Sequence, residues 1–138
     1  MITIGIDIGG TKIAAGFLDE EGKLKGFKKV NTAEVFALAD DAADALHIFL
    51  NGYIHDLGVR PDLIKGVGIG VPSVLDSHTQ EVVSTPYIPT LNHYPLSLLL
   101  APKLGVPVYV ENDVNLIAVG EHLHGRGKGL ANLACVFV

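Results

Sequence analysis

Isoleucine occupies every even position of ITIGIDI, from Ile2 to Ile8, and small or polar residues fill the positions between. That alternation is the period of a half-buried strand, and it turns Asp7 away from the isoleucine face. After two glycines, Ile13, Ala15 and Phe17 resume the alternation, DEEG at 19–22 supplies a turn, and a third run covers Leu24 to Val30. Three antiparallel strands are predicted. At Asn31 the period changes to that of a helix. Asn31 offers a cap three residues ahead of Glu34, and Val35, Leu38, Ala42, Leu46, Phe49 and Tyr53 follow at helical spacing. One long amphipathic helix over 33–57 is predicted, its apolar side read as core packing.

Further along, IKGVGIGVP reads as a buried strand that breaks at Pro72, and EVVS as a short strand after a turn at 76–79. Prolines punctuate TPYIPTLNHYP and make it irregular. Leu96 to Leu104 reads as a short helix, PVYV as a strand, and ENDVNLIAVGEHL as the helix that follows it directly. HGRGKG, 124–129, reads as a helix stop and loop. The last run, ANLACVFV, is strand-like and has no closing turn, cap or polar tail, an ending that looks cut. With no internal repeat, low-complexity tract or linker, one α/β domain over 1–138 is expected.

Composition narrows the partners more than the fold. Hydrophobic residues make up 49% and charged residues 18%, the balance of a compact globular chain. A formal net charge of -5 provides no basic field for a phosphate backbone, which argues against nucleic acid as partner. Cys135 is the single cysteine, so neither an internal disulfide nor a cysteine-cage metal site is possible within the chain. It fits a reducing cytoplasm and is expected to be a small core residue. No run approaches the 18 or so apolar residues of a membrane span, and no signal peptide, anchor or leading DNA-binding segment is recognised. Of six histidines only His122 and His124 are close, at a spacing that faces different sides of a helix, so a metal site made of them is not expected.

Three stretches carry candidate chemistry. Gly9, Gly10, Thr11 and Lys12 lie between two predicted strands, whereas Walker and dinucleotide loops open a helix. A glycine turn between strands can still aim successive N–H groups at an anion, with the Thr11 hydroxyl and Lys12 ammonium as further donors. Asp7, just before it, is placed to hold Mg²⁺ through water. An ordinary hairpin turn uses the same residue types. In PVYVENDVNLIAVGEH, Glu111, Asn112 and Asp113 stand at the carboxyl end of a strand, where open α/β sheets hold ligands. Asp113 is a candidate general base for phosphoryl transfer, while Asn and Asp are equally the residues of a plain helix cap. In GVGIGVPSVLD, Gly68 and Gly70 would admit a ligand close to the backbone, and Pro72 and Ser73 lie just past the strand end; a tight strand exit explains them equally well.

IGIDIGGTKIAAGFLDEEG, VGIGVPSVLD, STPYIPTLNHYPL and LGVPVYVENDVNLIAVGEH follow one another in an order and spacing that resemble the ROK family of sugar kinases and related repressors. The likeness covers essentially the whole chain, and DIGGTK combined with a later END is more specific than either piece. It implies a ribonuclease H-like, actin-like ATPase domain, one of two that close on ATP and a hexose. Residue by residue, it implies that Asp7 lies near Mg²⁺ and that Gly9, Gly10, Thr11 and Lys12 meet the transferred phosphate. Asn112 and Asp113 would hold sugar hydroxyls, with Asp113 the base. The chain would then be the amino-terminal half of an ATP-dependent, glucokinase-like hexose kinase, inactive alone and often dimeric when whole. The alternative is a regulator that binds sugar without phosphorylating it; such repressors usually carry a DNA-binding segment before the glycine loop.

Three departures from the family pattern stand out. Tyr87 replaces the asparagine that many members place ahead of Pro-Gly-Trp, and Val71, Pro72, Ser73, Val74 replace Val-Pro-Gly-Pro. Both bear on sugar contacts, for which Pro72, Ser73 and Tyr87 are the candidates here. The chain also stops where the family would continue into an adenosine-side loop, a structural zinc motif and the second ATPase domain.

Overall fold

The computed structural model describes residues 1–136. β1 (Ile2–Ile8), β2 (Lys12–Leu18) and β3 (Leu24–Asn31) form the expected antiparallel meander. β4 (Ile64–Val71) lies parallel to β1, and β7 (Val108–Asn112) parallel to β4, giving a five-stranded sheet in the order β3-β2-β1-β4-β7. β5 (Val74–Leu75) and β6 (Val82–Ser84) make a separate small ribbon around the turn at Asp76, whose Oδ1 accepts from the amides of His78 and Thr79.

Four helices complete the chain: α1 (Thr32–Phe36), α2 (Ala42–Asp56), α3 (Leu96–Leu104) and α4 (Asp113–Leu123). The single helix expected over 33–57 is in fact two, α1 and α2. Asn31 caps the first as read from the sequence, its Oδ1 accepting from the Ala33 amide at 2.9 Å. A second cap, Asp41, starts the other by accepting from the Asp44 amide at 3.0 Å. A distant residue fixes the break: the Tyr94 hydroxyl accepts from the Ala43 amide at 3.0 Å and donates to Asp41 Oδ2 at 2.7 Å. Burial first, and then the neighbouring Asp41 carboxylate, push the Tyr94 hydroxyl up to about 12. The same hydrogen bond holds the Asp41 carboxyl below its usual range.

The core lies on one face of the sheet. Ile4, Ile6, Ile8, Ile13, Ala15, Val67, Ile69 and Val71 are all buried in one cluster with Leu46, Leu50 and Tyr53 of α2 and Leu96 and Leu100 of α3. The opposite face receives α4 alone among the described helices, and α4 buries none of its residues. At the outer edge, β3 carries Gly26 at φ 64° and a register shift against β2 between Ala15 and Phe17. Phe17 and Leu57 lie within 3 Å of where a Gly26 Cβ would stand.

The carboxyl-terminal run departs from expectation. Residues 132–136 form no strand, and no described strand lies beside them to take their hydrogen bonds, without which a strand is not stable in water. Cys135 is exposed there, not a core residue. The last two positions of that run lie outside the described residues.

Candidate functional site

The β1–β2 turn is held from beneath by Thr32. Its Oγ1 donates to the Gly9 carbonyl at 2.7 Å, its amide donates to the Thr11 carbonyl at 3.0 Å, and Gly9 N–H closes the turn on the Lys12 carbonyl at 2.9 Å. With these carbonyls engaged on the protein side, the Gly10 and Thr11 amides donate to no backbone carbonyl among the described residues. Thr11 and Lys12 are exposed. A turn with its carbonyls tied and its amides free has the polarity of an anion nest.

Asp7 is the penultimate residue of β1, on the open face of the sheet. The β1–β4 and β4–β7 registers set it beside Gly70, which in turn faces Glu111. A Cβ on Gly70 would stand 3.2 Å from Leu116 Cδ1, 3.6 Å from Asp113 Cα and 3.7 Å from Asp7 Oδ1. The absent side chain is therefore what lets the two acidic residues flank one spot. A cavity of about 250 Å³ opens there, lined by Ile6, Asp7, Gly70, Asp113, Leu116 and Ile117. Asp7 makes no hydrogen bond or ion pair among the described residues. Although the residue is exposed overall, partial burial of its carboxyl pushes it above the ordinary range; Asp113 adds repulsion, and Lys29 offsets part of the rise. A carboxylate so placed favours a cation.

Asn112 caps α4, its Oδ1 accepting from the Asn115 amide at 3.1 Å, while its Nδ2 donates to the Ser73 carbonyl at 2.9 Å. The cap that the sequence left as one of two alternatives is thus formed. Asn112 keeps one N–H and one lone pair for a ligand. With Ser73, Glu111 and Asn115 it lines a second cavity, of about 590 Å³, and Glu111 Oε1 accepts from Asn115 Nδ2 at 3.1 Å. Ser73 turns its own hydroxyl back onto the Val71 carbonyl at 3.1 Å. Pro72 is half-buried at the strand exit and lines neither cavity. Tyr87 is 68% exposed, and its Cβ lies 2.6 Å from where a Gly10 Cβ would be. The loop carrying it is closed by the Thr85 amide on Asn92 Oδ1 at 2.7 Å. The structure therefore gathers Asp7, Gly9, Gly10, Thr11, Lys12, Asn112, Asp113, Ser73 and Tyr87 at one end of the sheet, with Pro72 behind them.

Sequence reasoning missed Thr32, whose position directly after the helix cap was its one local signal, and it did not connect Gly70 with the acidic pair.

The model of the ROK family matches residues 3–138. Over 136 residues the chain is 39% identical to a glucokinase of Streptomyces coelicolor, covering 98% of this chain and 40% of that protein. It superposes on a ROK family glucokinase of Streptomyces griseus, solved with glucose and AMPPNP, with a TM-score of 0.74 and 38% identity over 94% of this chain and 38% of the other. A ROK family transcriptional regulator, a homologue of the E. coli MLC protein, shares the fold at a TM-score of 0.75 and 16% identity, over 92% of this chain and 32% of that one. The chain spans about two fifths of the length of the kinases it matches. Its architecture is the actin-like ATPase fold of those kinases, a mixed sheet of antiparallel and parallel strands with helices. By the family model and these likenesses together, the chain belongs to the ROK family.

Proposed function

We propose that this chain is the amino-terminal half of an ATP-dependent hexose kinase, and that its open sheet end forms one wall of the cleft. The observation that carries the reading is the convergence of Asp7 and Asp113 on Gly70, beside a glycine turn with free amides. The residues present fit the implied groups: the unpartnered Asp7 carboxylate suits a hydrated Mg²⁺, and the Gly10 and Thr11 amides with Lys12 suit a phosphate. When bound, Mg²⁺ neutralises charge on the phosphates.

Asn112 and Ser73 orient the hexose from the second cavity, and Tyr87 borders it from the glycine turn. Asp113 accepts the proton of one sugar hydroxyl as that oxygen attacks the γ-phosphorus; the bond from phosphorus to the departing ADP oxygen breaks, and the products are sugar phosphate and ADP. Lys12 and the turn amides hold the moving phosphoryl oxygens. Catalysis on this reading comes from positioning and fixed charges, and closure of a second domain over the site excludes water. The reading places the protein in the cytoplasm, where ATP is supplied, and as a dimer when whole; no described helix is long and apolar enough to cross a membrane.

Two measurements test this. The intact mass of the natural protein is expected at roughly two and a half times the 14.6 kDa of this chain, the ratio implied by 40% coverage of the kinase. A coupled assay of ADP release over a hexose panel, on the whole protein, is expected to show turnover with glucose or a close relative. Sugar binding with no ADP release on any hexose would replace the kinase by a sugar-sensing regulator.

A further inference from the structure

The register of the sheet places a lysine that no motif singles out. Asp7 pairs across β1–β2 with Ala14, and Ala14 pairs across β2–β3 with Lys29. Paired residues share a face, so Asp7, Ala14 and Lys29 form one row on the open side of the sheet. Two strand spacings separate the ends of that row, about 10 Å between backbones. The small side chain of Ala14 leaves the space between them open to a long lysine stem. Lys12 pairs with Asn31, two residues beyond Lys29, which makes Lys12 and Lys29 diagonal neighbours on that same face.

What distinguishes Lys29 is its company. Lys25 is ion-paired to Asp19 at 2.7 Å, and Lys28, on the helix-covered side, to Asp56 at 3.0 Å. Lys29 has no carboxylate within ion-pair distance among the described residues; its ammonium instead stands 5.6 Å from the centroid of the Phe27 ring, on the open face. The contact leaves the ammonium without a counter-ion among the described residues, so its charge stays available to an anion.

We infer that Lys29 is a second cation of the phosphate site, holding with Lys12 the polyphosphate chain of the nucleotide from the β2–β3 side. The inference rests on the kinase reading and adds to it a residue outside the glycine turn. Lys29 binds and does not transfer a proton, so its loss acts on nucleotide affinity and on KM for ATP, leaving kcat little changed.

The test compares Lys29→Met, Lys29→Arg and Lys28→Met in the full-length protein, by titration with a non-hydrolysable ATP analogue and Mg²⁺ at low and moderate salt. Lys29→Met is expected to weaken binding about fivefold at low salt and less at moderate salt, as for an exposed charge contact. Lys29→Arg is expected to restore most of it. Lys28→Met removes the same charge from the other face and is expected to stay within about twofold of the unmodified protein. Because both lysines are exposed, a thermal melt of each variant separates loss of fold from loss of affinity. Wild-type affinity in Lys29→Met, or an equal loss in Lys28→Met, overturns the inference alone. No nucleotide binding by the unmodified protein overturns the kinase reading and this inference together.

Discussion

The two faces of the five-stranded sheet are built from alternate residues of the same strands, and they differ in almost everything else. One carries Ile4, Ile6, Ile8, Ile69 and Val71 into a closed core; the other carries Gly5, Asp7, Ala14, Gly68 and Gly70 beside a sparsely covered surface. A site needs room and unneutralised charge, and both oppose folding. The packed face offsets them, because each fully buried aliphatic side chain contributes about 1.5–3 kcal/mol. Stability and chemistry can therefore be changed separately by moving a single residue along one strand.

The sharpest test of that separation is Asp113→Asn. On the proposed kinase reading it lowers kcat of the whole protein by about 10²–10⁴-fold while the thermal midpoint stays near that of the unmodified protein; steady-state kinetics alongside calorimetry read both. An activity loss matched by unfolding would remove the distinction. On the opposite face, Ile69→Ala is expected to cost about 2–5 kcal/mol by denaturant unfolding, since Ile69 is fully buried. Gly10→Ala comes next. Its new methyl meets Tyr87 Cβ and must displace the 85–92 loop, at about 1–3 kcal/mol, with KM for the sugar rising more than kcat falls.

The smallest effect has the opposite sign. Because the Asp7 carboxyl is raised in the folded chain, the native state binds its proton more tightly than the unfolded chain does. Stability therefore falls as pH rises from the unfolded value through the folded one, and ionised Asp7 is destabilising at neutral pH. Asp7→Asn is expected to raise the thermal midpoint slightly at pH 7 and to lose that advantage when both proteins are melted below about pH 4. A lowered midpoint at pH 7 would contradict the electrostatic account.

Most of the sheet was legible because its two faces differ so sharply: alternation in ITIGIDI and KIAAGFL placed β1 and β2 and aimed Asp7. The break between α1 and α2 was not. Ala37, Leu38 and Ala39 are good or tolerable helix residues, and the contact that favours a second start comes from Tyr94, more than fifty positions away. The glycine turn and the END segment were legible as motifs. Thr32 and Lys29 were not, since their relation to Asp7 and the turn exists only once three strands are in register.

Gly26 has a consequence beyond its own turn. Its left-handed backbone puts the amides and carbonyls of β3 out of step along the outer edge, and lysines flank it on both sides. An approaching strand from another molecule would meet hydrogen-bonding groups that do not match its own repeat, together with like charges to bury. The β3 border of the sheet is thus ill-matched to fibril-like stacking through one residue without a side chain.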